Sequence, residues 1–319
     1  MREFSIQKNE AGQRFDKYLK KPLCNAPGSF IYKMLRKKNI VLNDKKADGT
    51  EKLQLNDNVK LYLSEETYLK FASETVETTF SENLPDIDIE HLPFEILHED
   101  EDILMINKPS GMLSQKARPE DISANEYILA YLLASKAISA AELSTFRPSI
   151  CNRLDRNTSG ILIAGKTLKG LQEMAEKLKS RKIKKYYRCI VEGKITAPKH
   201  IKGYLRKDEA KNKVTISEHA QSKEDKQIET EYIPIQQLNN ATLLEVHLIT
   251  GRTHQIRAHL ASTGHPIMGD LKYGAQKHNG VHSQLLHAYR LVLETEKEII
   301  APLPKEFTRI LKAMTIKEQ

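Results

Sequence analysis

The sequence predicts an α+β protein in two folded units, and three observations carry that reading. Segments of strand-like and helix-like periodicity follow one another through most of the chain, several late segments are β-rich with short polar connectors, and the charge changes sign sharply between two basic stretches. At 319 residues, 39% hydrophobic and 29% charged, the chain suffices for one sizeable core and a small accessory domain.

The charge marks the boundaries. Residues 1–63 hold 14 Lys+Arg and 7 Asp+Glu, a net of +7, whereas residues 64–90 hold Lys70 against eight acids, a net of −7. Residues 91–319 return to 35 Lys+Arg against 27 Asp+Glu, a net of +8. The acidic stretch, through Glu65, Glu66, Glu74, Glu77, Glu82 and Asp86, has little apolar periodicity and reads as a linker without a core of its own. The whole-chain net of +8, with a pI near 9.1, favours a polyanionic partner.

Cys24, Cys151 and Cys189 are odd in number, far apart and form no C-x-x-C pair, which argues against a disulfide framework or a zinc knuckle and fits a reducing compartment. Residues 1–30 carry no apolar core of signal-peptide length, and no stretch approaches the roughly 18 apolar residues of a membrane span. A cytoplasmic protein with no membrane association is expected.

In the first unit, Gly28 and Ser29 open a helix in which Phe30, Ile31, Met34 and Leu35 form an apolar stripe, with Lys33, Arg36, Lys37 and Lys38 around it. Ile40–Leu42, the turn pair Asn43-Asp44 and the alternating Val59–Leu63 complete a small helix-helix-strand unit. In the second unit, Ile103–Ile106 runs into the turn Asn107-Lys108-Pro109-Ser110-Gly111. A helix over 123–138, a strand at 160–164, a helix at 168–180 and a strand at 185–191 follow. The β-rich segments lie near 201–216, 229–235 and 242–249, and a last helix spans Thr253 to about Ser262 with Gly264 as its stop.

Gly160-Ile161-Leu162-Ile163-Ala164-Gly165-Lys166-Thr167 fits the phosphate-loop pattern G-x-x-x-x-G-K-[ST] literally. Physics argues against that function. A phosphate cradle needs its middle positions to curl, yet Ile161, Leu162 and Ile163 have the composition of a buried strand, and the residues before Gly160 are turn formers rather than a strand. Histidines give no metal reading either. His254, His259 and His265 are five and six apart and do not share a helix face, and His278 and His282 lie in a loop.

The chemistry concentrates just upstream, where Arg153-Leu154-Asp155-Arg156-Asn157-Thr158-Ser159-Gly160 places one carboxylate between two arginines on a loop entering a strand. An Asp so flanked tends to stay ionised. Read alone, a salt-bridged surface turn is the better reading. The motif, however, resembles the signature of the ribosomal large-subunit pseudouridine synthases. Further blocks of that family follow in order: Lys185-x-Tyr187-x-x-x-Val191-x-Gly193, Thr250-Gly251-Arg252-Thr253-His254-Gln255-Ile256-Arg257-x-His259-Leu260, Gly264-His265-Pro266-Ile267, Gly269-Asp270 and Tyr273-Gly274. Asn107–Gly111 matches as well. Gly12-x-Arg14-Phe15-Asp16-Lys17-Tyr18-Leu19, with Ile31-x-x-Met34-Leu35-Arg36, Val41-x-Asn43 and Leu55-x-x-x-Val59, is similar to an S4 domain. Within it, the run Phe30–Lys37 is most similar to the S4 helix of synthases that modify several 23S sites. One departure stands out: the position before Arg153 is His in the family pattern and Asn152 here.

The resemblance implies an S4 RNA-binding domain at 1–63, an acidic linker at 64–90 and a catalytic domain at 91–319, the last built on a mixed, mainly antiparallel sheet flanked by helices. It implies isomerisation of uridine to pseudouridine, most naturally in 23S ribosomal RNA or a pre-ribosomal particle, by a monomer without a cofactor, since no redox change, group transfer or hydrolysis occurs. Asp155 becomes the nucleophile or base, Arg257 its charge partner and Tyr187 the ring stacked on the target base, Tyr186 pointing to the other face of the strand. Ile256 and Leu260 turn to the core while His254 and Arg257 share a face toward the site. Arg153 is the candidate wedge that fills the gap left by a flipped nucleotide. Arg156, Arg252, His254, Gln255 and Lys108, and in the first unit Arg14, Lys17, Lys33, Arg36 and Lys37, are expected to contact RNA. The rival reading is a non-catalytic ribosome-assembly factor that uses both basic units only to hold RNA.

Overall fold

The structure, a computed structural model, describes residues 1–7, 9–72, 87–139, 142–144, 146–208 and 213–315. The first unit packs two helices, α1 (Phe15–Leu19) and α2 (Gly28–Arg36), on a four-stranded sheet of order β1-β4-β2-β3, with β1 (Arg2–Ser5), β2 (Ile40–Leu42), β3 (Lys45–Lys46) and β4 (Asn58–Leu61). Ile31, Met34 and Leu35 of α2 turn inward as the stripe requires, joining Phe15, Leu19, Ile40, Val59 and Leu61 in one core. The opening strand β1 was not foreseen. It is short, mostly exposed and lacks an apolar run.

The acidic stretch is not wholly a linker. Its first residues form α3 (Glu65–Phe71), capped by Ser64, whose hydroxyl accepts from the Thr67 amide at 3.2 Å. Tyr68 and Phe71 pack on the first core, the Phe71 ring 4.3 Å from that of Phe30. Glu74, Glu77, Glu82 and Asp86 lie outside the described residues.

The second unit is built on an 11-stranded sheet whose main path runs β11-β10-β12-β13-β9-β14-β8-β6-β5. Its strands are β5 (Glu95–Glu99), β6 (Ile103–Lys108), β7 (Ser149–Ile150), β8 (Ser159–Gly165), β9 (Lys184–Glu192), β10 (Lys199–Asp208), β11 (Lys213–Ser217), β12 (Lys226–Leu238), β13 (Ala241–Leu248), β14 (Leu286–Val292) and β15 (Glu298–Ile300). Every pairing is antiparallel except β14 with β8, so the sheet is mixed and mainly antiparallel. The largest core lies where α4 (Ala124–Ala134) and α6 (Gln255–Ser262) cover one face. Met174 of α5 (Leu168–Lys179) seals part of the other face, and α7 (Lys305–Met314) closes a further cluster around Leu238, Leu243 and Leu285. Each fully buried aliphatic side chain there contributes roughly 1.5–3 kcal/mol.

One local detail departs from the sequence reading, and another agrees with it. α4 stops at Ala134 rather than near 138 because Lys136 takes a left-handed φ of 58°. Ala137 N then donates to Leu132 O at 3.0 Å and Lys136 N to Leu133 O at 3.1 Å, a Schellman cap with lysine in the usual glycine position. The phosphate-loop pattern lies in β8, buried along its whole length. Lys166 pairs with Glu99 at 2.6 Å, and Thr167 caps α5 by accepting from Gly170 N at 3.0 Å. No free cradle of amides remains there.

Candidate active site

Gly160 explains how β8 brings its preceding loop into the site. At φ +109°, a Cβ there would sit 2.2 Å from the carbonyl oxygen of Ala288. Only glycine admits the parallel contact between β8 and β14 at this point. The loop before it carries Asp155, and neighbouring segments clamp that loop. Ser114 Oγ donates to Leu154 O at 2.8 Å, Gly111 N to Arg156 O at 2.9 Å and Ser110 Oγ to Asn157 O at 3.0 Å. Asn152, the departure from the family pattern, accepts from the Ile163 amide at 2.8 Å, tying the loop to the strand it enters.

Arg257, on the first turns of α6, reaches across to this loop. Its Nη1 donates to Asp155 Oδ2 at 2.8 Å, while Nε and Nη2 grip Asp270 at 2.7 and 2.8 Å. Burial would lower the guanidinium pKa, but the two carboxylates outweigh it and hold Arg257 firmly charged. His254 Nε2 stands 3.6 Å from the same Oδ2. No hydrogen bond from a described residue reaches Oδ1 of Asp155. His254 itself caps α6 at φ 54°, a left-handed conformation that costs a non-glycine residue on the order of 1–3 kcal/mol and concentrates at functional sites. Burial, the largest influence, and the nearby Arg257 and Lys272 push its imidazole below its ordinary pKa, against the opposing pull of Asp155 and Asp270.

Asp155 and Tyr187 line one cleft of about 1110 Å³, just above the roughly 300–1,000 Å³ usual for small-molecule pockets. Tyr187 is 7% exposed, and burial, then the charge of Asp155, raises its pKa, so its phenol stays protonated. Among the described residues lining the cleft Asp155 is the only carboxylate, whereas Arg153, Arg156, Arg181, Lys185, Arg252 and Arg257 all stand around it. Lys185 is two residues before Tyr187 on β9 and shares its face. Its amine is half-buried beside Arg181, and burial first, then that cation, lowers its pKa.

The structure brings Asp155, Tyr187, Arg257, His254, Arg153, Arg156 and Arg252 together, and corrects two expectations. Lys108 is fully buried and donates to three carbonyls, Pro109, Met112 and Arg156, at 2.9, 2.8 and 3.1 Å; it braces the loop and does not face RNA. Gln255 is 2% exposed, with Nε2 on Glu229 O and Thr230 Oγ1 and Oε1 receiving Thr250 Oγ1 and the Arg252 amide, so it pins the α6 entry to β12. In the first unit Lys17, Lys33, Arg36 and Lys37 are exposed, while Arg14 is half-exposed and already held by both oxygens of Asp16 at 3.1 Å. The histidines go to separate partners, His259 to Thr230 and His265 to the Glu192 carbonyl. Roles for Asp270, Tyr273 and Lys185 were missed, although all three stood inside matched blocks.

Comparison with known proteins identifies the family. The family model described as RNA pseudouridylate synthase matches residues 102–262. The chain is 32% identical to ribosomal large subunit pseudouridine synthase C of Pasteurella multocida, covering 97% of this chain and 93% of that protein. It is also 32% identical to the protein of the same name from Haemophilus ducreyi, with 97% and 94% covered. In fold it is similar to human RNA pseudouridylate synthase domain containing 4, with a TM-score of 0.57 at 21% identity over 68% of this chain and 91% of that one. The chain belongs to the RNA pseudouridylate synthase family and is an RNA pseudouridine synthase.

Proposed function

We propose that the chain isomerises uridine in large-subunit ribosomal RNA, with Asp155 acting on a nucleotide flipped into the cleft. The observation that carries this reading is a single carboxylate, tied through one oxygen to Arg257, in a cleft whose other charged residues, among those described, are cations. A polyanion is drawn to such a surface, and the one acid left in it is the one the reaction needs deprotonated. The names of the relatives in Pasteurella and Haemophilus support the large-subunit substrate.

In this reading Oδ1 of Asp155 initiates cleavage of the N1–C1′ bond, whether by attack at C1′, attack at C6 or removal of a sugar proton. The freed uracil rotates and rebonds through C5, whose proton leaves as N1 gains one. Tyr187 stacks on the base, and Arg153, exposed at the rim, fills the space the nucleotide vacates. The first unit serves as an S4-type clamp on structured RNA through Lys17, Lys33, Arg36 and Lys37. A protein that merely held RNA would gain nothing from an acid among the cations of this cleft.

Tritium release from RNA labelled at uracil C5 tests the chemistry. Release by the intact protein and a loss of at least about 1,000-fold for Asp155→Asn, with RNA affinity kept within a few fold, is the expected result. Salt-dependent RNA binding without release under single-turnover conditions would return the protein to the holding role. Pseudouridine mapping in large-subunit RNA from cells lacking the protein identifies its uridines.

A further inference from the structure

Tyr273 touches both groups that face Asp155. The 3-10 turn Leu271–Tyr273 follows Asp270, and the Tyr273 ring lies edge-on to the His254 ring, with centroids 5.7 Å apart at 81°. The guanidinium carbon of Arg257 sits 5.1 Å over the centre of the same ring. The phenol oxygen has two polar neighbours: it accepts from the Val214 amide of β11 at 3.1 Å and lies 3.0 Å from His254 Nδ1.

We propose that Tyr273 is a positioning residue whose phenol locks neutral His254 in the tautomer that carries its proton on Nε2, so that two N–H groups converge on Asp155 Oδ2 and Oδ1 is left to react. This rests on the reading of Asp155 as the reacting carboxylate. Two independent arguments assign the proton. Tyr273 is 9% exposed, and with Val214 already donating to its oxygen, Nδ1 is the acceptor that satisfies its hydroxyl hydrogen. At the other end of the ring, Nε2 faces a carboxylate oxygen at 3.6 Å, where a lone pair would be repelled and an N–H is drawn in. Burial raises the Tyr273 pKa, which keeps the phenol a donor. Asp155, Arg257, Asp270 and Lys272 are the charged groups around His254, and with burial their balance favours the neutral ring.

The resting enzyme provides the first test. Side-chain nitrogen NMR of histidine-labelled protein near pH 7, with the His254 signals assigned from the His254→Gln spectrum, should show Nε2 protonated and Nδ1 bare. In Tyr273→Phe, which keeps the ring beneath Arg257, the tautomers should mix and kcat should fall about tenfold, with KM for RNA within about twofold. A His254 proton on Nδ1, an imidazolium at pH 7, or a Tyr273→Phe enzyme with unchanged tautomer and kcat would each overturn the proposal. The tautomer is read on the wild-type protein, and unchanged signals from the other histidines in His254→Gln show that the variant used for assignment keeps the fold. The wild-type spectrum also separates failure of this inference from failure of the Asp155 reading, which Asp155→Asn tests by itself.

Discussion

Arg257 grips Asp270 with two of its N–H groups, Nε at 2.7 Å and Nη2 at 2.8 Å, and reaches Asp155 only with the third, Nη1 at 2.8 Å. Asp270 is therefore the anchor that aims the guanidinium, and both partners are buried. Removing one partner of such a pair strands a charge in a dry environment. Asp270→Asn should cost about 3–5 kcal/mol in a urea denaturation measurement and lower kcat for tritium release more than it raises KM. A variant as stable and as active as the native protein would show that Asp155 alone positions Arg257.

Gly160 and Gly264 both have positive φ, +109° and +85°, but differ in surroundings. A methyl group at Gly160 would meet the Ala288 backbone at 2.2 Å, whereas nothing lies within 4 Å of one at Gly264. Thermal denaturation should show Gly160→Ala losing more than about 3 kcal/mol and Gly264→Ala about 1–2 kcal/mol. Equal losses would mean that backbone conformation, not the approach of β14, requires glycine at 160.

Lys185 and Arg153 line the same cleft, one half-buried on β9 and one exposed before Asp155. If each meets a phosphate, Lys185→Gln and Arg153→Gln should each weaken RNA binding and reduce the slope of log K against log salt by about 0.7–0.9. If Arg153 is also the wedge, its variant should lose single-turnover rate beyond its loss of affinity. Unchanged salt slopes would remove both residues from the phosphate contacts.

Burial pulls the imidazoles of His259 and His287 down to about 4. Both are neutral in the folded protein at pH 7. His287 has Nδ1 on Ser159 at 2.8 Å and Nε2 on the Ala301 carbonyl at 3.2 Å. As pH falls below the ordinary histidine value of about 6.5, the unfolded chain takes up protons that the folded protein refuses, so stability declines until about pH 4. Each histidine contributes on the order of 3 kcal/mol to that decline. Urea midpoints followed from pH 7 to 5 should fall for the native protein and flatten in His259→Gln combined with His287→Gln. An undiminished slope in the double variant would assign the acid sensitivity to carboxylates.

Much of this architecture is written locally. The alternation of Lys184–Glu192, the apolar run of Ser159–Gly165 and the stripe of α2 each follow from residues within one element, because side-chain direction repeats every two or every 3.6 positions. β14 escaped notice because Leu286–Val292 mixes apolar, His and Arg residues, and its place is decided by β8 on one side and β9 on the other.

For the site, the sequence by itself determined which chemical groups are present and their spacing within each motif: the Asp155 loop ahead of its strand, Tyr187 on one face of β9, Arg257 near the start of a helix. Only the tertiary structure decided which of those groups meet. Arg257 and Asp155 are 102 residues apart and are joined by the closing of the sheet around β14. The same closure buried Lys108 and Gln255, turning two polar residues that looked like RNA contacts into supports for the loop and the helix entry. Charge and motif register are properties of short stretches of chain, whereas burial and hydrogen-bond partnership arise when distant stretches exclude water together.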